Sequence, residues 1–190
     1  MVAMTTLPAS TLTADEYLAT GDERPRFTEL INGAVIVNTP NLRHQRIASE
    51  LRGQLRDWIR NAPNRGEAPD PVDSHLDTGN VYAPDVWWVS EERRPDRDAT
   101  HLVGPPDLAV EVRSPSTWRF DLGTKKQTYE RAGLPELWLI DTASETVLVY
   151  RRSSPAQATF DVELELGAGG FLESPMLPGF RLEVGPLFDR

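Results

Sequence analysis

The longest periodic pattern in the chain lies between Leu42 and about Asn61 and predicts an amphipathic helix. Apolar residues recur there at helical spacing, and three arginines follow one another four residues apart on another face. The apolar positions are Ile47, Ala48, Leu51, Leu55, Trp58 and Ile59, and the arginines are Arg52, Arg56 and Arg60. We expect this helix to pack its apolar face against a sheet.

Two local signals precede this helix. Thr13 and Glu16 have the spacing of a capping box, which predicts a short first helix. Two apolar stretches between residues 27 and 38 flank an Asn-Gly dipeptide, the pair that best suits a tight hairpin turn. The predicted hairpin carries Glu29 on its first strand.

Short apolar runs later in the chain predict strands separated by one more helix. The strands are Val86–Val89, Leu108–Val112, Leu137–Asp141 and Thr146–Tyr150, and the helix runs from Leu122 to Ala132, with Asp121 as its N-cap and Gly133 after its end. A strand, a helix and a strand with short connections predict a parallel pair, whereas the next strand returns antiparallel. The pattern indicates the α/β (α+β) class, with a mixed β-sheet flanked by helices.

The length of 190 residues suits a single domain spanning 1–190. Its core is expected over about residues 12–150. The stretches Thr159–Leu166 and Phe180–Val184 indicate a C-terminal β extension over 151–190.

Composition narrows the class of protein further. No apolar run approaches the roughly 20 residues that a membrane helix needs, and the first residues lack the features of a secretion signal. The chain has no cysteine, which removes disulfides and thiolate metal sites from consideration. A cytoplasmic location is therefore the expectation. The net charge of −9 argues against binding nucleic acid by bulk attraction, so any such contact has to be local.

Two acids at strand ends are the first candidates for chemistry. Asp85 precedes one predicted strand and Glu111 lies near the end of another, and a pair of hard oxygen ligands suits Mg²⁺ or Mn²⁺. Lys125 follows at the start of the next helix, where an ammonium could orient water or stabilise charge on a phosphate. The alternatives are that Asp85 only starts a strand or a turn and that Glu111 forms an ion pair with Arg113 or Arg119.

Other polar residues rank second. His44 begins the long helix and is more often a surface or capping residue than a ligand. Tyr129 shares the helix face of Lys125 and could pack in the core or bond near the site. His75 and His101 have no zinc-like spacing, and Ser114 and Ser116 lack a G-x-S-x-G elbow.

Taken together, these residues resemble a known family. The order and spacing of Glu29-Leu-Ile-Asn-Gly33, His44, Pro84-Asp85-Val86, Val110-Glu111-Val112, Ser114-Pro-Ser-Thr117, Asp121, Lys125, Tyr129, Gly133 and Glu136-Leu-Trp138 are similar to those of the bacterial Uma-type restriction endonuclease family. That family is placed in the PD-(D/E)xK nuclease superfamily. The resemblance runs from about Leu12 to Tyr150.

The resemblance implies a restriction-endonuclease-like fold in which Asp85 and Glu111 bind a metal ion, with Glu29 as a third acid near it. The superfamily motif places a lysine two residues after the second acid, where this chain has Arg113. Arginine stays protonated and cannot serve as a base, although it could contact phosphate. In the Uma-type pattern the lysine lies on the following helix, and Lys125 matches that place.

The sequence thus favours a Mg²⁺- or Mn²⁺-dependent endonuclease that hydrolyses DNA phosphodiester bonds, with Asp85, Glu111 and Lys125 as catalytic residues. A homodimer would supply two sites for two strands. Two alternatives stay open: a nuclease-like fold that serves as a non-catalytic binding or interaction module, and a metal-dependent hydrolase of a small phosphate-containing substrate.

Overall fold

The computed structural model describes residues 11–114 and 117–189, apart from the side chain of Asp22. Within that part the helices are α1 (Ala14–Ala19), α2 (Leu42–Arg60), α3 (Trp118–Phe120), α4 (Lys126–Ala132) and α5 (Gly185–Phe188). A π-helical turn, Asp121–Lys125, joins α3 to α4, and 3₁₀ turns occupy Gly21–Glu23 and Glu91–Arg93.

The strands of the described residues number twelve and are short. They are β1 (Thr28–Ile31), β2 (Ala34–Val37), β3 (Ser74–Asp77), β4 (Asn80–Tyr82), β5 (Val86–Trp88), β6 (Leu102–Val103), β7 (Leu108–Val112), β8 (Glu136–Asp141), β9 (Thr146–Arg151), β10 (Val162–Leu166), β11 (Phe171–Leu172) and β12 (Leu182–Glu183).

The strands form two five-stranded mixed sheets and one two-stranded sheet. The first sheet has the order β2-β1-β4-β3-β6, the second has the order β10-β9-β8-β7-β5, and β11 pairs with β12. In the second sheet β7 and β8 are parallel, and β9 returns antiparallel, which confirms the predicted crossover unit. The mixed α+β class is confirmed, but the strands divide between two large sheets where the sequence predicted one.

The predicted capping box and hairpin turn are present, and a second cap, which the sequence analysis did not predict, begins α2. Thr13 and Glu16 form the reciprocal bonds of a capping box at α1. Asn32 and Gly33 have φ values of 49° and 77°, the two positive values that a tight hairpin turn requires, and they connect β1 to β2. Asn41 caps α2 by accepting a hydrogen bond from the backbone N–H of His44.

The helix after β7 begins earlier than the sequence predicts. Helical structure starts at Trp118, and Asp121 lies inside it as the first residue of the π-helical turn. The prediction that Asp121 is an N-cap is therefore wrong. Its carboxylate lies beside the Lys125 ammonium, which provides a charged partner in place of a backbone N–H. The predicted C-terminal end of this helix is correct, because α4 ends at Ala132 and Gly133 adopts the left-handed conformation with φ of 90°.

The second sheet separates two apolar layers. Alternate residues of β7 point to opposite faces, as a strand requires. Leu108, Val110 and Val112 pack with the buried face of α2 and with C-terminal residues that include Phe180 and Leu187. Ala109 packs on the other face with residues of α4 and of the first sheet, and the two-residue period puts Glu111 on that same face.

No helix among the described residues combines the length and the apolar character that crossing a membrane requires.

Candidate functional site

Lys125 is the centre of a buried ionic cluster between the two large sheets. Its side chain is 2% exposed, and its Nζ lies 2.8 Å from Glu111 Oε1, 2.9 Å from Glu29 Oε1 and 3.3 Å from Asp121 Oδ1. A buried ammonium is tolerated only when it is paired and hydrogen-bonded, and three carboxylates meet that requirement here. The sequence predicted each of these residues for the site, and the structure brings them together.

The π-helical turn explains how Lys125 reaches the cluster. A π-helical turn adds a residue to the local turn and so changes the direction of the side chains that follow, and such turns are frequent at functional sites. Asp121 and Lys125 begin and end this turn, with both side chains buried. Tyr129, one helical turn further on, donates a 2.8 Å hydrogen bond from its hydroxyl to Glu111 Oε1.

Glu111 therefore pairs with Lys125 and Tyr129, and the alternative of an ion pair to Arg113 or Arg119 is wrong. Arg113 instead donates a 2.7 Å hydrogen bond to Asp141, and its guanidinium lies over the ring of Trp118.

Glu29 links the two sheets. It lies on β1 of the first sheet, and its Oε1 accepts a 3.0 Å hydrogen bond from the backbone N–H of Ala83. Ala83 follows β4 and leads through Pro84 to Asp85, so this short connection carries the chain from the first sheet into the second. The cluster consequently lies at the junction of the sheets, where loops and strand ends meet.

Asp85 lies beside Glu111 at the start of β5. The register of Val86 opposite Val110 places Asp85 opposite Glu111 at the next position, and Asp85 Oδ2 accepts a 2.8 Å hydrogen bond from the backbone N–H of Val112. This hydrogen bond orients the carboxylate at the sheet edge. Asp85 does directly precede strand β5, but a role in starting a strand or a turn does not by itself account for a carboxylate fixed beside a second acid.

His44 is buried rather than at the surface. Its ring is 2% exposed, and its Nε2 lies 3.0 Å from Asp85 Oδ2. Neither ring nitrogen forms an aligned hydrogen bond to any described residue, so the close approach to Asp85 is a contact of poor angular geometry. A buried polar side chain without an aligned partner next to an acid is a feature of sites that accept a further ligand.

The cluster carries more negative charge than its cation balances. Glu29, Asp85, Glu111 and Asp121 supply four carboxylates that influence one another, against the one ammonium of Lys125. Burial, opposed by Lys125 and reinforced by the other acids, raises the pKa of Glu111 well above its usual value. Burial, again opposed by Lys125, raises the pKa of Asp121 to about 6.

Lys125 itself is held in its charged form. Burial alone would lower its pKa, but the neighbouring carboxylates of Glu111, Glu29 and Asp121 outweigh burial and hold the pKa of Lys125 well above its usual range. Burial and the Glu111 carboxylate likewise raise the pKa of Tyr129, so its hydroxyl stays a donor. The site therefore offers a fixed cation and a fixed hydroxyl, and neither is a base at neutral pH.

An open cleft reaches the cluster from solvent. Its volume is about 670 Å³, and Glu29 and Asp85 both line it. Arginines contribute to its walls: Arg24, Arg26 and Arg52. The sequence pattern places Arg52 on one face of the predicted helix, and it does not single out Arg24 or Arg26. The only sequence signal for them was their closeness in the chain to Glu29.

The residues present fit a hard divalent cation by their chemistry, although no complete cage is preformed. Across the described ranges 11–114 and 117–189, no group of three histidine, aspartate or glutamate side chains is placed so that all three could bind one metal ion. Mg²⁺ is commonly held by one or two carboxylates with water as the other ligands. Asp85 and Glu111 supply such a pair, and the excess negative charge favours a cation.

Comparisons with known proteins bear on the fold and on the family. No curated protein matches the sequence. Among solved structures, the chain is similar to a protein from Anabaena variabilis ATCC 29413 whose crystal structure is described as that of "a putative nuclease belonging to DUF820". The TM-score is 0.77 at 22% sequence identity, over 94% of this chain and 98% of that one, which shows a shared fold.

A family model settles the family. The model of Uma2, described as "Putative restriction endonuclease", matches residues 14–185. The match contains Glu29, Asp85, Glu111 and Lys125 together with every strand of both large sheets. The chain belongs to the Uma2 family.

Proposed function

We propose that this protein is a divalent-metal-dependent endonuclease that hydrolyses DNA phosphodiester bonds, with Asp85 and Glu111 holding Mg²⁺ or Mn²⁺. The observation that supports this most strongly is the buried acidic cluster at the end of a cleft with arginines in its walls. The arginines suit a phosphate backbone, and the acids suit a cation that neutralises the reacting phosphate.

A bound divalent ion would lower the pKa of a water ligand and stabilise charge on the phosphate. Glu29 is the third acid near that ion. Its carboxylate is oriented by the Ala83 backbone and by Lys125, so it can hold the lysine in place or contact a metal-bound water.

Lys125 acts as a fixed positive charge in this proposal. Because its pKa is held well above neutrality, it does not remove a proton from water. Its ammonium can instead stabilise the extra negative charge that develops on a phosphate oxygen during attack. Tyr129 positions Glu111 by its hydrogen bond, and Asp121 holds the ammonium from within the same helical turn.

Arg113 does not replace the motif lysine in this account. It stands at the motif position, yet its guanidinium is directed to Asp141 and to the ring of Trp118. Neither contact belongs to the cluster. Lys125, from the following helix, reaches Glu111 instead.

A non-catalytic binding module is the second candidate, and one observation favours it. Lys125 already neutralises part of the acidic cluster without a metal ion, and no three-ligand metal group is preformed among residues 11–114 and 117–189. A chain that had lost its metal chemistry could keep such an ion cluster for stability.

The homodimer and the cytoplasmic location stay predictions.

Cleavage of supercoiled plasmid tests the proposal. Wild-type protein with Mg²⁺ or Mn²⁺ should nick and linearise the DNA, and EDTA should abolish both products. Asp85→Asn and Glu111→Gln should lose cleavage, because each removes one of the two proposed ligands. Glu163→Gln changes an exposed glutamate on β10 and should cleave like wild type. Cleavage that survives in Glu111→Gln would contradict the assigned site, and no cleavage by folded wild type would favour the binding module.

A further inference from the structure

Phe27 has a combination of features that its packing does not explain. Its backbone has φ of 59°, a left-handed conformation that bulky side chains rarely adopt. Its ring is 57% exposed and makes no aromatic or cation–π contact with any described residue. Backbone strain of this kind persists where the surrounding structure imposes it and concentrates at functional sites.

The place of Phe27 connects it to the candidate site. It directly precedes β1, two residues before Glu29, and it lines the same cleft as Glu29 and Asp85. Its carbonyl accepts a 2.7 Å hydrogen bond from the backbone N–H of Asn38, which anchors the strained turn against the residue after β2. The ring is thus held at the cleft by backbone geometry and not by apolar burial.

Of the arginines that line the same cleft, Arg24 and Arg52 have partners and Arg26 does not have an ion-pair partner among the described residues. Arg26, the preceding residue, is exposed and forms no ion pair within the described ranges 11–114 and 117–189. Arg24 lies over the ring of Tyr17 and pairs with Asp73, and Arg52 donates to the backbone carbonyl of Asp85. One guanidinium is therefore available for a phosphate, next to an available aromatic face.

Overall charge makes such a local contact necessary. With a net charge of −9, the surface as a whole repels nucleic acid, so bulk phosphate neutralisation cannot supply the affinity. An exposed aromatic face with nearby positive charge is the arrangement by which proteins bind single-stranded nucleic acid, because a base can stack on it whatever its identity.

We propose that Phe27 is a nucleobase-binding residue, on which an unpaired base of the DNA strand stacks while Arg26 contacts an adjoining phosphate. The inference rests on the proposed nuclease function for its choice of substrate and names the form of DNA the cleft accepts: a single strand, or a duplex site with an unstacked base. Phe27 contacts the substrate but takes no part in the chemistry.

The test uses a single-stranded oligonucleotide carrying 2-aminopurine, whose fluorescence is quenched when the base stacks. Binding is measured in the Glu111→Gln protein, in which DNA cleavage should be lost, with Phe27→Trp, Phe27→Leu and Phe27→Gly added to it. The Phe27 parent and Phe27→Trp should quench the probe. Phe27→Leu and Phe27→Gly should bind about 5- to 150-fold more weakly without quenching, the range that the loss of one stacked base gives.

Two controls separate stacking from folding. Phe27→Gly should melt at the same temperature as its parent or higher, because glycine adopts positive φ without strain. Phe171→Leu removes another exposed aromatic ring, on β11 in a different sheet, and should bind like the parent. Equal binding and quenching by Phe27→Leu and the parent, or no binding of the probe by any protein, would overturn the inference.

The inference and the proposed function can fail separately. Quenching that depends on Phe27 in a protein that never cleaves DNA would remove the nuclease function and keep the base-binding site. Metal-dependent plasmid cleavage with no effect of Phe27 on probe binding would keep the nuclease and remove the base-binding site.

Discussion

Replacing Lys125 by methionine tests the ionic cluster directly. Methionine keeps an unbranched chain of similar length, so it fills the buried space while it deletes the ammonium. The change removes contacts of 2.8 Å to Glu111, 2.9 Å to Glu29 and 3.3 Å to Asp121. The carboxylates are then left buried without their cation.

The size of the effect should depend on pH. Removing one partner of a buried ion pair costs about 3–5 kcal/mol, because the other partner stays buried and charged. The carboxylates can avoid part of this cost by binding protons, as their raised pKa values already indicate for Glu111 and Asp121. Protons bound in the folded state but absent from the unfolded state make stability fall as pH rises above about 4. The loss should therefore be about 3–5 kcal/mol at pH 8 and smaller at pH 5 by at least about 1 kcal/mol.

Urea unfolding followed by tryptophan fluorescence measures this loss, since Trp58, Trp88 and Trp138 are buried in the core. Lys126→Met is the matched control. Its ammonium lies 3.4 Å from the exposed Glu163, and it should lose less than about 1 kcal/mol at either pH. Equal losses for the two lysine variants at pH 8, or the same loss for Lys125→Met at both pH values, would contradict a stabilising role of the Lys125 ammonium among buried carboxylates.

Three further predictions concern Tyr129 and Asp121, which contact the cluster, and Arg113, which lies outside it. Tyr129→Phe removes the hydroxyl that donates a hydrogen bond to Glu111. Urea unfolding should show a free energy of unfolding lower by about 1–3 kcal/mol, and plasmid cleavage should be slower. An unchanged urea midpoint would contradict a stabilising hydrogen bond between Tyr129 and Glu111. Arg113→Ala breaks a partly exposed ion pair with Asp141. The free energy of unfolding in urea should fall by less than about 1 kcal/mol, and the cleavage rate should be unchanged. Loss of cleavage in a stable variant would show that Arg113 contributes to the active site. Asp121→Asn removes a carboxyl whose pKa in the folded protein is about 6, above its ordinary value of 3.8. The wild type therefore gains stability from proton binding at low pH, and it loses this stability as pH rises between about 4 and 6. At pH 8 the free energy of unfolding of the variant should exceed that of wild type by about 1–3 kcal/mol, and at pH 4 the two should be equal. A gain of equal size at both pH values would exclude the raised pKa as its cause.

Local signals in the sequence were sufficient for most of the secondary structure. The Asn-Gly turn, the capping box and the helical period of α2 depend on neighbouring residues, and the structure has each of them. The burial of Glu111 also followed from its apolar neighbours on β7. These features are decided within a few residues of chain, where periodicity and turn chemistry are informative.

The contacts of the site depend on how distant elements pack. Lys125 and Glu29 are 96 residues apart, and their contact requires the first sheet to lie against the crossover helix. The division of the strands into two sheets is equally a matter of tertiary packing. For the same reason the sequence favoured a surface or capping role for His44, whereas α2 directs its ring toward Asp85. The N-cap prediction for Asp121 failed because a buried lysine one π-helical turn later competes for its carboxylate.

Calorimetric titration of Mn²⁺ into the metal-free protein tests directly whether the acidic cluster is a divalent-metal site. Wild type should show saturable binding at a single site, and Glu111→Gln should lose that binding at the same pH and protein concentration. Isotherms that are the same for wild type and Glu111→Gln, or the absence of saturable binding in folded wild type, would contradict a metal site in the acidic cluster.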